Sequence, residues 1–280
     1  MIPYFSVNFP SIGPLTIHLF GILVACGILV GSKLTRDRGR ELGLDDEKVT
    51  SMITTILVCG FLFAHVFDVA AYQTIGETPG PFGASWMNVA WQWLNPFGGL
   101  SSYGGFMGAI GGLFYWCKKH KTDVMPYADS LGFGLAAGWT LGRTGCFTAH
   151  DHPGNLTDFF LAVQYPGGAR HDLGLDEALW SLGITIVFLA MKKRKVQPLG
   201  IYVSLLTIGY GPIRFLLDFL RATDVHGADP RYFGLTPGQY GSIATVVVGL
   251  VMLRWTFQHG QEAAPAELSP TKSKPAKNRR

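Results

Sequence analysis

Arginine side chains lie inside two long hydrophobic segments of this sequence, where a cation needs a partner. Arg143 lies near the end of one segment, and Arg214 lies in another together with Asp218 and Arg221. The last three follow i, i+4, i+7 spacing and therefore share one face of a helix. Two cations against one carboxylate leave a surplus positive charge, to which Arg143 adds. Because guanidinium groups bind phosphate in a bidentate manner, this pattern favours a phosphate-bearing ligand.

Both arginines also have a structural interpretation. Arg143 lies near the end of its segment, from which a long side chain can extend to the membrane interface. Arg214 lies deeper, and an ion pair with Asp218 one turn away would satisfy its charge without a ligand. The sequence pattern leaves an anion site and a structural role open for these side chains.

A second group of titratable residues, His150-Asp151-His152, follows Arg143 in a turn. A histidine at such a site can act as a general base or as a hydrogen-bonding group. Two histidines at i, i+2 around an aspartate are a weak metal pattern, and spacing places no third ligand. The four cysteines show neither metal nor disulfide spacing, so we expect no metal and no cofactor. A surface loop without chemistry is the remaining interpretation.

The composition is typical of an integral membrane protein. Of the 280 residues, 48% are hydrophobic and 15% are charged, whereas a soluble domain carries about 25% charge. The net charge of +4 lies in short loops and a tail, so nucleic acid is not an expected partner. Seven hydrophobic segments predict an all-α polytopic membrane protein with seven transmembrane helices. They are residues 13–32, 50–72, 97–117, 126–145, 173–191, 199–220 and 237–257.

Positive charge alternates between successive loops. Loops 33–49, 118–125 and 192–198 and the C-terminal tail are rich in Lys and Arg, whereas loops 73–96, 146–172 and 221–236 hold few. The positive-inside rule then predicts an outside N-terminus and a cytoplasmic C-terminus. We expect residues 1–260 to form the membrane domain and 261–280 a disordered basic cytoplasmic tail. The tryptophans of loop 73–96 predict a segment at the outer headgroup level.

In this orientation, polar residues from five spans lie at one depth. At a rise of about 1.5 Å per residue they fall in the outer half of the membrane. The commonest anion there is a phospholipid phosphate, which becomes the expected ligand. This set comprises His18, His65, Tyr103, Arg143, Arg214 and Asp218, with Arg221 at the end of its span and His150, Asp151, His152 and His171 directly above.

Glycines recur at four-residue spacing on the third span. Gly104, Gly108 and Gly112 repeat a pattern that lets membrane helices approach closely. Close packing is the preferred interpretation for Gly108 and Gly112. Gly98, Gly99 and Gly104 flank the polar layer, where bare backbone could also donate to a phosphate or make room for acyl chains.

Five motifs, in order, resemble those of the bacterial prolipoprotein diacylglyceryl transferases. Residues 98–105, Gly-Gly-Leu-Ser-Ser-Tyr-Gly-Gly, are similar to the family's Gly-Gly-(Met/Leu)-Ser-x-His-Gly-Gly. Residues 142–154 are similar to its Gly-Arg-x-Gly-Asn-Phe-x-Asn-Gly-Glu-x-x-Gly. Residues 170–177 and 214–221 resemble its Arg-His-Pro-x-Gln-Leu-Tyr-Glu and Arg-Phe-x-x-Glu-x-x-Arg. Residues 235–239 resemble the segment with Gly-Gln that opens its last span.

The resemblance implies transfer of a diacylglyceryl group from phosphatidylglycerol to the lipobox cysteine thiol of a prolipoprotein. A thioether forms and glycerol phosphate leaves. The implied partners are phosphatidylglycerol, the prolipoprotein signal-peptide lipobox and membrane lipid, and the implied location is the bacterial cytoplasmic (inner) membrane, with the active site facing the outer leaflet. Arg143 and Arg214 match the family's phosphate-binding catalytic residues. The expected substrate-binding residues are Gly98, Gly99, Ser101, Ser102, Gly104, Gly142, Gly145, Cys146, Asp151, Gly154, His171, Glu177, Asp218, Arg221 and Gln239.

Several positions depart from the family pattern. The family's histidine on the third span is Tyr103 here, and its asparagine after Gly-Arg-x-Gly is Cys146. A tyrosine hydroxyl is a poor base, so we expect Tyr103 to bind the headgroup or phosphate and His150 or His152 to accept the thiol proton. The alternative is a divergent paralogue that binds or moves phospholipid without catalysis. A transporter would show polar residues through the full membrane depth or an inverted repeat, and the sequence shows neither.

Overall fold

Helices account for most of the chain. The computed structural model describes residues 1–5, 18–71, 85–95, 99–194, 197–225 and 231–259. The chain divides into two compact units, Met1–Leu44 with Met125–Arg280 and Asp45–Val124. The predicted tail at 261–280 and Gly98 lie outside the described residues. The helices are α1 (Leu19–Glu41), α2 (Asp46–Ala71), α3 (Trp86–Leu94), α4 (Ser102–His120), α5 (Val124–Ala149), α6 (Leu173–Arg194), α7 (Ile201–Leu217) and α8 (Pro237–His259).

Five helices in the described part of the chain are long and apolar enough to cross a membrane, namely α1, α2, α6, α7 with the 3-10 turn Asp218–Leu220, and α8. A polytopic α-helical membrane protein is thereby confirmed. The third and fourth predicted spans correspond to α4 and α5, helices of 19 and 26 residues. Helices α4 and α5 are less apolar than the five helices named above, because they are rich in glycine and carry polar side chains.

The loop predicted at residues 33–49 is wrong, because α1 continues to Glu41 and α2 begins at Asp46. The reason is Arg38, which is buried instead of facing water. Its Nη2 donates to Asp129 Oδ2 on α5 at 2.9 Å, and its Cζ lies 4.9 Å from the centroid of the Tyr202 ring. Asp129 Oδ1 accepts from the backbone N–H of Tyr202 at 2.8 Å. One buried ion pair therefore joins α1, α5 and α7 in the first unit.

The glycine repeat of α4 packs against α2 within the second unit. A Cβ atom added at Gly108 would lie 2.6 Å from Phe63 Cβ, and one at Gly112 would lie 3.0 Å from Cys59 Cβ. The packing interpretation is confirmed for these two glycines. It extends to Gly104, where an added Cβ would clash with the backbone of Phe63. The missing side chains thus let the two helix backbones touch.

Part of the loop predicted at residues 73–96 is helical. Residues Trp86–Leu94 form α3, which the side chain of Ser85 caps by accepting from Asn88 N. Trp86 and Trp91 are exposed, whereas Asn88 is fully buried. The carbonyl of Trp93 lies 3.2 Å from Nε2 of His65 on α2. Sequence reasoning missed this helix because nine residues show too few turns for a clear period.

Three short strands lie between α5 and α6, where a loop was predicted, and form a small sheet with one strand near the N-terminus. Its strands are β1 (Ile2–Pro3), β2 (Pro153–Leu156), β3 (Val163–Tyr165) and β4 (Gly168–Asp172), in the order β1-β3-β4-β2. β1 runs parallel to β3, and the other pairs are antiparallel. Strands of two to five residues are too short to show an alternating pattern. The sheet joins the N-terminal residues to the segment that follows the turn His150-Asp151-His152.

The buried ion pair supplies a stability test. Replacing Asp129 with Ala leaves the Arg38 guanidinium buried without its main counter-ion, which typically costs about 3–5 kcal/mol. We expect a large fall in the thermal unfolding midpoint of the purified protein in detergent. The control is Asp37→Ala, which removes the pairs of Asp37 with Lys33 and Arg40, whose side chains are 69% and 56% exposed. That change should cost about 1 kcal/mol or less. Equal midpoints for the two variants would contradict this account.

Candidate active site

Helix α6 approaches the end of α5 at a glycine. A Cβ atom added at Gly174 would lie 2.7 Å from the backbone nitrogen of Phe147 and 3.0 Å from the carbonyl carbon of Cys146. No other residue allows this separation without displacing α5. The approach brings Glu177, one turn further along α6, next to Arg143.

Arg143 is held on several sides. Its Nε forms an ion pair with Glu177 Oε2 at 2.8 Å, although the N–H is not aligned for a hydrogen bond. Its Nη2 donates to the Tyr210 hydroxyl at 3.2 Å. Its Cζ lies 4.8 Å from the centroid of the Trp139 ring. The side chain is still 12% exposed, so an incoming anion would meet a guanidinium with a fixed direction.

Glu177 also reaches the second arginine. Its side chain is fully buried, and Oε1 lies 3.6 Å from Arg214 Nη1. The Tyr210 hydroxyl donates to Oε2 of the same carboxylate. Arg214 Nη1 in turn donates to Asp218 Oδ1 at 2.6 Å. Arg143 and Arg214 are therefore adjacent members of one buried network on three helices.

The network has a smaller positive surplus than the sequence suggested. Three guanidinium groups, from Arg143, Arg214 and Arg221, face two carboxylates, from Glu177 and Asp218. Glu177 was expected to bind substrate, yet its contacts in the described structure are with the arginines and Tyr210. Sequence reasoning did not single out Tyr210. The available signal was its i, i+4 spacing to Arg214 on an apolar helix.

Asp218 is the second buried counter-ion and is bound from several directions. Besides Arg214, it accepts from Arg221 Nε at 3.3 Å and from the hydroxyl of Thr236. Thr236 N donates to Gln239 Oε1 at 3.0 Å, and Gln239 Nε2 donates to Phe215 O at 3.2 Å. Gln239 thus uses both ends of its amide to fix the start of α8 against α7.

Gly154 connects the sheet to the end of the arginine helix. It forms an antiparallel bridge with Arg221. A Cβ atom there would lie 2.7 Å from His171 Cβ and 2.9 Å from the Leu220 carbonyl oxygen. The role of Gly154 is therefore to let β2 approach the segment that carries Arg221.

The two remaining glycines of the Arg143 motif differ. A Cβ atom at Gly145 would lie 3.1 Å from Phe20 Cδ2, so this glycine serves the packing of α5 on α1. A Cβ atom at Gly142 would meet no atom within 4 Å. The described structure therefore shows no packing contact that requires a glycine at this position.

His150 is buried and fully engaged. Its Nδ1 lies 2.9 Å from Asp172 Oδ2, its Nε2 lies 3.0 Å from the Phe5 carbonyl oxygen, and its ring stacks on Tyr4 at 4.4 Å. Both ring nitrogens therefore lie within hydrogen-bond distance of an acceptor oxygen. Asp172 also accepts from the Tyr165 hydroxyl at 2.7 Å, and burial together with this carboxylate raises the pKa of Tyr165. His150 anchors the N-terminal residues to the sheet.

His152 has a different environment. Its Nδ1 hydrogen-bonds to Asp151 Oδ1, and both side chains are partly exposed. Cys146, in the last turn of α5, lies beside this pair, with its thiol in a group of three ligand-type atoms within 4.8 Å of one another. Arg143 Nη1 lies 3.8 Å from Cys146 Sγ. The structure therefore brings Arg143, Cys146, Asp151 and His152 together at the end of α5.

The side chains of Arg170 and His171 lie next to acidic residues. Arg170 forms a bidentate pair with Asp224, at 2.9 and 2.5 Å. This hydrogen bonding lowers the pKa of the exposed Asp224 carboxyl and raises that of Arg170. His171 Nδ1 lies 3.7 Å from Asp176 Oδ2. These contacts fix β4 beside the segment after α7.

The expected site residues of the third span belong to the second unit. Ser101 is the buried N-cap residue of α4, and its N–H donates to the Ala64 carbonyl at 3.0 Å. Ser102 and Tyr103 form the first turn of α4. Gly99 lies against the Asp68 carboxylate, where an added Cβ would clash. Substrate contact by these residues stays a prediction.

Sequence comparisons give a consistent assignment. A sequence model described as prolipoprotein diacylglyceryl transferase matches residues 7–255. A phosphatidylglycerol–prolipoprotein diacylglyceryl transferase of Aliivibrio fischeri (strain MJ11) is 29% identical, with 98% of each chain covered. Proteins of the same name from Vibrio cholerae and Pseudoalteromonas atlantica are 28% and 26% identical, with 89% and 95% of this chain and 91% and 94% of theirs covered. The match over almost the whole length, together with the paired arginines, shows that this chain belongs to the prolipoprotein diacylglyceryl transferase family.

Proposed function

We propose that this protein transfers the diacylglyceryl group of phosphatidylglycerol to the cysteine thiol of a prolipoprotein lipobox. The carrying observation is the network in which one buried carboxylate, Glu177, orients both Arg143 and Arg214. Family membership and the names of the relatives supply the reaction class. The thiol sulfur forms a bond to the glyceryl carbon, the carbon–oxygen bond to phosphate breaks, and glycerol phosphate leaves with the electron pair.

The two arginines bind the phosphate and stabilise the negative charge that grows on it. A guanidinium in a site that excludes water stabilises such charge more than it would in solution. Glu177, Tyr210 and Asp218 hold the arginines in place before the lipid arrives, so little reorganisation is needed. Arg221 adds positive charge at the same end of α7.

His152 is the better candidate for the base that accepts the thiol proton. Its Nδ1 bonds to Asp151, which leaves Nε2 on the far side of the ring as the proton acceptor. His150 directs both nitrogens at acceptors instead. Contact of Tyr103 with the headgroup or phosphate stays a prediction from the sequence.

We infer that the site faces the outer leaflet of the bacterial cytoplasmic membrane. At about 1.5 Å per residue, α4 and α5 extend about 28 and 39 Å, which is close to or above the span of a bilayer core. Counting both as spans gives seven, with the N-terminus outside and the basic tail in the cytoplasm. The lipobox cysteine would then reach the site from the outer side.

The first test is complementation of a bacterial strain depleted of its own diacylglyceryl transferase, with lipoprotein mass as the readout. The wild-type chain should restore the diacylglyceryl mass increment. Arg143→Ala and Arg214→Ala should each reduce the transfer rate by about 100-fold or more, and Arg143→Lys should not rescue it, since lysine lacks the guanidinium fork. Well-expressed wild-type protein that adds no thioether-linked lipid would disprove the assigned reaction.

Glu177→Gln should slow transfer by up to about 100-fold, because displaced arginines lose their alignment with the phosphate. Glu177→Asp keeps the charge and should retain more activity than Glu177→Gln. The measurement is the transfer rate on purified protein with phosphatidylglycerol and a lipobox peptide. If Glu177→Gln retains the wild-type rate with both arginines present, the carboxylate does not position them.

The two histidines should separate by phenotype. His150→Ala leaves Asp172 buried without its main partner and should lower the unfolding midpoint. His152→Ala should keep the midpoint but reduce transfer by about 100-fold, as expected when a general base is removed. Paired unfolding and transfer measurements on both variants distinguish these effects. Full activity of His152→Ala would eliminate it as the base.

A further inference from the structure

We propose that Cys146, Asp151 and His152 form a binding site for a divalent transition-metal ion, with Zn²⁺ as the ion that suits the ligands best. The three side chains offer a thiolate, a carboxylate oxygen and an imidazole nitrogen, all within 4.8 Å of one another. Binding itself does not depend on the proposed function.

The backbone explains how these residues meet. Cys146 lies in the last turn of α5, which ends at Ala149. His150 has a φ of +51°, and its N–H donates to the Phe147 carbonyl at 3.2 Å, so the chain reverses at this point. The reversal returns Asp151 and His152 toward the side chain one turn back. Because His150 is fixed by Asp172 and the Phe5 carbonyl, the turn is built before any metal arrives.

The distances suit a tetrahedral ion after a small adjustment. Zinc–ligand bonds of 2.0–2.3 Å place tetrahedral ligand atoms about 3.5 Å apart. Ligand atoms within 4.8 Å of one another therefore need shifts of about 1 Å. Two of the side chains are partly exposed, so an ion can enter from solvent.

The donor set discriminates between metals. A thiolate with imidazole selects zinc and related soft or borderline ions, whereas Mg²⁺ and Ca²⁺ prefer sites made of oxygen atoms. One thiolate and one carboxylate neutralise the charge of Zn²⁺. The Arg143 Nη1 atom lies 3.8 Å from Cys146 Sγ, so the sulfur has one cationic neighbour. Three protein ligands leave a fourth position for water or a substrate group.

Metal binding and base catalysis exclude each other at His152. The ion would replace the proton shared between His152 Nδ1 and Asp151. A neutral imidazole bound through Nδ1 carries its proton on Nε2 and cannot accept another. On the proposed function, Zn²⁺ at this site therefore suppresses transfer.

The test uses Co²⁺ as a spectroscopic probe on tag-free, full-length protein in detergent after chelator treatment. Wild-type protein should bind one equivalent with a thiolate-to-cobalt charge-transfer band and tetrahedral d–d bands. Cys146→Ser should lose the charge-transfer band, whereas the matched control Cys26→Ser should keep it, since Cys26 lies on α1. An unchanged band in Cys146→Ser, or no stoichiometric binding by wild-type protein, would overturn the proposal.

Two further measurements guard against misfolding. In His152→Ala, the affinity for Zn²⁺, measured by displacement of bound Co²⁺, should fall by more than about tenfold. The unfolding midpoint of this variant should be unchanged. In a variant retaining Cys146 as its sole cysteine, Zn²⁺ should slow alkylation of that thiol, and absence of protection would contradict the site.

Transfer by metal-free protein tests the proposed function separately. Activity there, with inhibition of the wild-type protein at the Zn²⁺ concentration that displaces bound Co²⁺, supports both ideas.

Discussion

One buried carboxylate determines the arrangement of the candidate site. Glu177 is fully buried between Arg143 and Arg214. A charge in a low-dielectric interior is tolerated only with close partners. Each of these three groups therefore requires the others, and the helices that carry them must meet at this point. Gly174 permits the approach, and Tyr210 closes the network from α7. An anion site built in this way has its direction fixed by the fold.

The small sheet serves the same end of the molecule. Its β2 strand contacts the segment after α7 at Gly154 and Arg221, and β4 leads directly into α6. His150 ties the end of α5 to Asp172 at the start of α6 and to the N-terminal residues. The three helix ends that carry the arginines and Glu177 are thus joined by a few short strands. This explains why motif residues such as Gly154 and His150 have structural contacts rather than open faces.

Sequence reasoning worked where the signal is local. Long apolar runs predicted the helices, and glycines at four-residue spacing predicted the α2–α4 packing. The i, i+4, i+7 spacing placed Arg214, Asp218 and Arg221 on one face. It failed where a distant partner decides the outcome. Arg38 was predicted to lie in a loop because it is charged. Its buried partner Asp129 lies 91 positions away, and the sequence does not show that the two side chains form a pair. The role of Glu177 was missed for the same reason, since a shared counter-ion is defined by two other helices.

Two of the departures from the family pattern, Cys146 and Asp151, lie close to each other and to His152. Cys146, Asp151 and His152 meet because the positive φ of His150 reverses the chain after α5. A substitution at one of these positions changes the hydrogen bonding and charge experienced by the others. The thiol of Cys146 lies beside the Arg143 guanidinium, which also contacts Glu177. Of these groups, the Cys146 thiol acts on Arg143 through direct contact. These two departures therefore lie where the arginine network meets the partly exposed side chains of Asp151 and His152.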